Sequence, residues 1–252
     1  MFNNGVKKSA PTPRVLLFDI ETTPNLSYTW GKYEQDVIRF KKEWEILSVA
    51  YKWLGESRVQ CIGRNSLKNE SALVQKLWQL FDEADVVIAH NGASFDDKKS
   101  RAKFLEHKLP PPSPYKVIDT KRIAKAQFAF SSNSLNDLGE KLGLGKKVDT
   151  GGFDLWLGCM DGKRASWTKM LRYNRQDVVL LERVYLKLRS WAPTHPNLSL
   201  HAGLMRACPV CQSTRIQRRG YKYAQASVKA QYQCQTCCHW FARALPKEGR
   251  AK

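Results

Sequence analysis

The apolar run Val15-Leu16-Leu17-Phe18 continues into Asp19-Ile20-Glu21, and these two acids constrain the fold more than any other feature of the chain. A segment so rich in branched and aromatic residues reads as a central strand covered on both faces. Side chains alternate along a strand, so Asp19 and Glu21 leave from the same face, side by side. The plainer alternative is an edge strand with its acids in solvent, and the neighbours Val15, Leu17 and Phe18 argue against it.

Two further acids follow in similar settings. Asp96 closes His90-Asn91-Gly92-Ala93-Ser94-Phe95-Asp96, directly after the apolar strand 86–89. Asp177 stands four residues after Tyr173 in Tyr173-Asn174-Arg175-Gln176-Asp177, a spacing that puts phenol and carboxylate on one helix face. Taken singly, Asp96 could be a first-turn acid and Tyr173 with Asp177 an ordinary amphipathic pair. Together, the four carboxylates would repel one another unless something positive neutralised them, and hard oxygen ligands suit Mg2+ or Mn2+.

The order and content of these segments resemble the DEDD superfamily of 3′–5′ exonucleases, which have the RNase H-like fold. Asp19-Ile20-Glu21-Thr22-Thr23 resembles its first motif, Asn91 to Asp96 its second, and Tyr173 to Asp177 its third. A histidine-type third motif would need His at position 172, which is Arg, so the resemblance is to the tyrosine subclass. The first motif is most similar to exonuclease domains of family B polymerases and their stand-alone relatives. The resemblance spans 14–191 and implies an α/β, RNase H-like mixed sheet flanked by helices. It implies a two-metal site with Asp19, Glu21, Asp96 and Asp177 as ligands of two Mg2+ or Mn2+ ions, and Tyr173 orienting the attacking water. Thr22 and Phe95 would shape the pocket for the terminal nucleotide, and Asn91 would touch substrate or support the site. The implied activity is removal of nucleotides from 3′ ends, of single-stranded DNA ahead of RNA. A structure-specific endonuclease of the same fold, a non-catalytic nucleic-acid-binding protein and a proofreading subunit working beside a polymerase remain alternatives.

Charge points to the same class of partner. The 252 residues carry a net charge of +19, well beyond what solubility needs, and such a field favours polyanions such as nucleic acid. From Pro193 onward there are 10 Lys or Arg and one Glu. The same region holds Cys208-Pro-Val-Cys211 and Cys234-Gln-Thr-Cys237, a double C-x2-C pattern suited to one tetrahedral Zn2+ and similar to a zinc ribbon. Cys238 and His239 compete with Cys237 for the fourth position. Arg215, Arg218 and Arg219, with Lys222 and Lys229, lie among Tyr221, Tyr223, Tyr232 and Trp240 and offer phosphate contacts and stacking surfaces. Cys61 and Cys159 read as buried packing residues.

Along the chain, 1–13 reads as a flexible leader, 14–192 as the catalytic domain, 193–203 as a linker, 204–245 as the ribbon and 246–252 as a basic tail. Strands are expected over 14–20, 46–53 and 58–63, the last two as a hairpin. A helix over 71–84, a strand over 86–89, a helix over 94–107, a strand over 116–118 and a long helix over 167–191 follow. Asp119 is expected to cap the helix after it, His90 to serve packing or hydrogen bonding, and 145–152 to be a connector or substrate-side loop. No apolar run of membrane-spanning length and no signal peptide is evident, so a soluble, cytoplasmic protein without a membrane partner is expected.

Overall fold

The computed structural model describes residues 12–33, 36–64 and 69–245. One compact unit spans Arg14–Tyr185, and a second contains the chain from Leu186 onward. Most of the expected leader and the whole expected tail lie outside the described residues.

The first unit is a five-stranded mixed sheet with helices on both faces, the architecture expected of an RNase H-like fold. Strand β1 (Val15–Thr22) is its middle strand. β2 (Leu26–Tyr28) and β3 (Arg39–Lys42) form a separate two-stranded sheet. β4 (Ile46–Trp53) pairs antiparallel with β1 and with β5 (Gln60–Gly63), giving the expected hairpin. On the other side, β6 (Val86–Ala89) runs parallel to β1, and β7 (Lys116–Asp119) parallel to β6.

Alternation along β1 decides which residues enter which core. Leu16, Phe18 and Ile20 pack with Leu73, Val74, Leu77, Leu80 and Phe81 of α1 (Glu70–Glu83). Asn69 starts this helix by accepting the Ala72 N–H, and the 3.6-residue recurrence of apolar side chains supplies the buried stripe. Phe81 sits at the centre of an edge-to-face cluster with Phe18, Phe104 and Tyr115. The other face of the sheet buries Leu47 against Leu155 and Cys159 of α5 (Asp154–Met160) and against Trp167, Met170 and Tyr173 of α6 (Arg164–Leu188). The expected long helix thus begins three residues earlier than its apolar pattern suggests and tightens into a 3-10 turn over Arg189–Trp191.

Parallel strands need crossovers, and these bring polar side chains to the sheet's end. α2 (Asp96–Glu106) connects β6 to β7; α3 (Thr120–Gln127) and α4 (Leu135–Lys141) follow. Asp119 caps α3 by accepting the N–H groups of Lys121 and Arg122. The same carboxylate accepts the N–H groups of Asn91 and Ala93, so it also ties down the loop leading to Asp96. Asn91 adopts φ 67°, a left-handed conformation that asparagine tolerates better than most side chains.

The second unit holds a short helix, α7 (Leu198–His201), within the stretch expected as linker, and Leu198 is buried. Its sheet is antiparallel, in the order β10 (Trp240–Ala244), β9 (Ser227–Cys234), β8 (Ile216–Ala224). Four cysteines, Val210, Ile216 and Phe241 form its small core. Among the described residues no helix is long and apolar enough to cross a membrane.

Gly92 gives a direct check on how the Asp96 loop is packed. Its carbonyl accepts the Phe95 and Asp97 N–H groups at the start of α2, and a Cβ placed on it would collide with that of Ala89. Gly92→Ala should therefore cost about 1–3 kcal/mol. Urea unfolding should show a lower midpoint with an unchanged m value.

Candidate active site

β1 pairs with β6 only through Leu17, which pairs with Ile88. Beyond that point the edge of β1 is open, and the Asp96 Oδ1 accepts the Ile20 N–H at 3.4 Å. Asp19 and Glu21 project from the face of β1 opposite Phe18 and Ile20, toward α6. One carboxylate oxygen from each of Asp19, Glu21 and Asp177 lies within 4.8 Å of the others. Strand alternation and helix periodicity thus bring together acids 158 residues apart in sequence (177 minus 19). Asp96 stands beside this trio at the N-terminus of α2, buried.

Two side chains without an expected role hold the cluster. Asn174, within the third motif and completely buried, donates to the Asp19 Oδ2 at 2.7 Å and to the Asp19 carbonyl at 3.3 Å. Its own oxygen accepts from the Ser48 hydroxyl at 2.8 Å, so β4 fixes the amide that fixes Asp19. Cys61, half-buried rather than buried, approaches the same oxygen at 3.7 Å. Lys147, from the 145–152 loop, reaches the Asp177 Oδ2 at 2.6 Å and donates to the Tyr173 hydroxyl at 2.9 Å. The phenol oxygen accepts from Lys147 and stands beside the Asp177 carboxyl.

The electrostatics match this crowding. Burial, reinforced by Asp96, Glu21 and Asp177, holds the Asp19 carboxyl well above the usual carboxylate range. Glu21 is pushed up to about 8, by burial first and then by Asp177. Burial takes Asp96 to about 7 although the Ile20 N–H opposes it. Asp177 is also raised by burial, which Lys147 and Tyr173 only partly offset. Burial pulls Lys147 down, but Asp177 and Tyr173 outweigh it, so its ammonium stays charged. Burial, Glu21 and Asp177 raise Tyr173, keeping it a neutral phenol.

Such a cluster suits divalent cations. The buried Oδ1 of Asp177 has no hydrogen-bond donor among the described residues, and burial opposes the charge of all four carboxyl groups around Lys147. Hard oxygen donors in this number could hold Mg2+ or Mn2+.

Beside the cluster opens a cleft of about 520 Å3 whose walls include Thr22, Trp44, Phe95, Lys99, Phe153 and Trp156. Phe95 is partly exposed, and the Lys99 ammonium lies 3.9 Å from the centre of the Trp44 ring and 4.9 Å from that of Phe95. Thr22 and Phe95 therefore share one wall system with three aromatic residues that have no place in the motifs. Asn91 contributes through its backbone, at the loop that Asp119 holds. His90 supports rather than reacts. Burial lowers it to about 4; as a neutral ring it donates Nε2–H to the Asn133 carbonyl, leaving Nδ1 to accept from Thr120.

In the second unit, the sulfurs of Cys208, Cys211, Cys234 and Cys237 lie within 4.8 Å of one another, with Cys208–Cys237 at 3.6 Å and Cys211–Cys234 at 3.5 Å. Sulfurs about 2.3 Å from a tetrahedral ion stand roughly 3.8 Å apart, so the set could close around Zn2+. Cys238 is exposed, and the His239 Nδ1 bonds to the Ser190 carbonyl at 2.8 Å. Arg215, Arg218 and Arg219 lie on this unit, at and beside β8, all exposed.

The sheet order and the acid cluster at the end of its central strand define an RNase H-like protein, and the chain belongs to the RNase H superfamily, whose family model matches residues 16–189. Its fold is similar to that of the family B DNA polymerase from the hyperthermophilic archaeon Pyrobaculum calidifontis, with a TM-score of 0.51 and 17% sequence identity. That similarity covers 84% of this chain and 31% of the polymerase chain, so the protein matches under a third of its length. No curated protein sequence matches the chain. Superfamily membership and the converging acids support nuclease activity in general terms.

The raised carboxyls give a pH signature in the absence of divalent metal. Unfolded carboxyls lose their protons near pH 4, whereas folded Glu21 keeps its proton up to about pH 8. Between pH 6.5 and 8 the folded state therefore binds more protons than the unfolded one, and this contribution to stability falls as pH rises. His90, lowered to about 4, acts in the opposite sense only below about pH 6.5. Without divalent metal, Glu21→Gln should melt above the parent protein at pH 8, with the difference narrowing as pH falls to 6.5 and closing only near the ordinary carboxyl value of about 4.5. Saturating Mg2+ should reverse the order, as scanning fluorimetry would show.

Proposed function

We propose that the chain is a metal-dependent 3′–5′ exonuclease that hydrolyses phosphodiester bonds at the 3′ ends of single-stranded nucleic acid, DNA ahead of RNA. The observation that carries this reading is the meeting of Asp19, Glu21 and Asp177 beside a neutral Tyr173 that Lys147 holds by its hydroxyl oxygen. Asp19, Glu21 and Asp177 would hold two Mg2+ or Mn2+ ions, with Asp96 acting through their water shell; bound there, the ions would supply charge neutralisation at the phosphate and a more acidic water.

The chain's own residues would do the rest. Asn174 and Ser48 fix the rotamer of Asp19, so that acid needs no reorganisation on binding. Tyr173, locked by Lys147 and by Trp156 at its ring, would give its hydroxyl hydrogen to the attacking water and orient it. A neutral phenol is a poor base, so it directs rather than deprotonates. The cleft lined by Trp44, Phe95 and Trp156 would take the terminal nucleoside, with Thr22 at its inner wall. Cys208, Cys211, Cys234 and Cys237 would hold one structural Zn2+, stabilising a unit whose apolar core is small.

A time course on 5′-labelled single-stranded DNA and RNA, with Mg2+ or Mn2+ and with chelator, tests the reading. A metal-dependent ladder shortening from the 3′ end is expected. Asp19→Ala and Asp177→Ala should each reduce the rate at least about 1,000-fold, and Tyr173→Phe about 10- to 100-fold. Internal fragments of fixed size would replace the exonuclease by an endonuclease, and retention of rate in either aspartate variant would sink the site. Metal analysis of the purified chain should find one zinc, lost in Cys237→Ser.

A further inference from the structure

The second unit has an open hairpin whose chemistry the catalytic reading does not use. Between Arg183 and Lys247 the chain has no Asp or Glu. β8 is an edge strand, and from Arg218 to Ala224 its residues are exposed. Cross-strand partners share a face, so pairing of Tyr221 with Ala230, Tyr223 with Val228 and Arg218 with Tyr232 places these six side chains on one side. Tyr223 is 76% exposed and Tyr221 46%. Their rings stand 6.4 Å apart, and the Arg218 guanidinium lies 4.9 Å from the centre of Tyr221.

The opposite face carries Lys222 and Lys229, directly across from each other and both exposed. Like charges at such positions destabilise a strand pair, and no described residue of this unit is an acid that could relieve them. A polyanion would relieve them. Exposed tyrosines among cations supply what an unpaired strand needs, stacking for its bases and positive charge for its phosphates. A duplex keeps its bases stacked internally and could use only the cations.

We propose that the outer half of the β8–β9 hairpin is a binding site for single-stranded nucleic acid, in which bases stack on Tyr221 and Tyr223 and phosphates meet Arg218, Lys222 and Lys229. Arg215 and Arg219, close by in sequence, would extend the cationic margin. The site draws on the second unit alone, so it stands or falls independently of the cleavage chemistry.

The experiment is fluorescence anisotropy with the full chain carrying Asp177→Ala, without chelator, on labelled oligothymidylate, oligouridylate and a duplex over a range of salt. Tyr221→Ala and Tyr223→Ala should each weaken single-strand binding about 5- to 100-fold. Duplex binding should stay within about twofold, and Tyr221→Phe and Tyr223→Phe should bind like the parent, since the stacking face is retained. Lys222→Ala and Lys229→Ala should each reduce the slope of log affinity against log salt by about 0.7 on the single strands. Tighter binding of either single-stranded polymer than of duplex supports the site. Parental affinity in both tyrosine-to-alanine variants would overturn it. So would equal losses on single strand and duplex, which would leave a surface that reads phosphate alone. Intact 3′–5′ cleavage alongside failed hairpin binding would remove this site and leave the nuclease standing.

Discussion

Removal of four neighbouring carboxyls from water, Asp96 and Asp177 buried and Asp19 and Glu21 half-buried, is the constraint around which the first unit is arranged. Asp19, Glu21, Asp96 and Asp177 come together at the end of the central strand, where burial alone disfavours their charged forms. A cluster of this kind persists only if the framework over-determines it. The framework is the hydrophobic sandwich on either side of β1, with Leu16, Phe18 and Ile20 against α1 and the helices α5 and α6 on the opposite face. Alternation then leaves no freedom. Any residue that keeps Phe18 and Ile20 in the core forces Asp19 and Glu21 to face α6.

The polar contacts around the cluster are few and directional, each serving a separate acid. Asn174 fixes Asp19, the Ile20 N–H fixes Asp96, and Lys147 faces Asp177. A second layer supports the first: Ser48 holds Asn174, and Asp119 holds the loop that ends at Asp96. Asp119 thus combines a helix cap with a tether between neighbouring strand ends, and its four N–H partners account for its burial without a metal. His90 closes this layer as a neutral ring bridging Thr120 and Asn133. Among the described residues Lys147 is the cation in contact with the cluster, too little for four carboxyls but enough to orient the phenol beside them.

Residues whose role follows from a local period were legible in the sequence. Strand alternation placed Asp19 with Glu21, the i,i+4 spacing placed Tyr173 with Asp177, and the apolar periods gave α1, β4, β5 and β6 to within a residue or two. What escaped depends on distant neighbours or on weak turn chemistry. Lys147 lies 26 residues before Tyr173 (173 minus 147) in a glycine-bounded loop, and nothing local says that its ammonium reaches the phenol. Asn174 sits inside a recognisable motif, but its partner Ser48 is 126 residues away. Trp44 lines the cleft from one segment, and Phe153 and Trp156 from the distant start of α5. The β8–β9 hairpin turns at Gln225-Ala226, a pair without the Asn-Gly or Gly signature of a two-residue turn, so its outer half was invisible as paired strand. β2 and β3 were missed because three or four largely exposed residues carry no core-facing alternation.

The two candidate metal sites are separated by chemistry as well as by domain. Carboxylates and water suit hard Mg2+ or Mn2+, while four thiolates suit Zn2+, which binds most donor sets more tightly than either. Affinity alone would let zinc occupy an acid cluster. Donor type works against this, because four thiolates whose sulfurs lie within 4.8 Å of one another would offer zinc a softer and more complete shell than Asp19, Glu21 and Asp177 could. Burial adds a second discriminator. The acids hold their protons toward neutral pH, so a cation must displace protons to bind them, and occupancy is tied to pH and to the supply of an abundant hard ion. The thiolate site, by contrast, suits a single long-lived ion whose loss would remove the core of its unit. A chain with both can keep one metal as structure and exchange the other, provided the framework around β1 holds the acids in place while their charge is unmet.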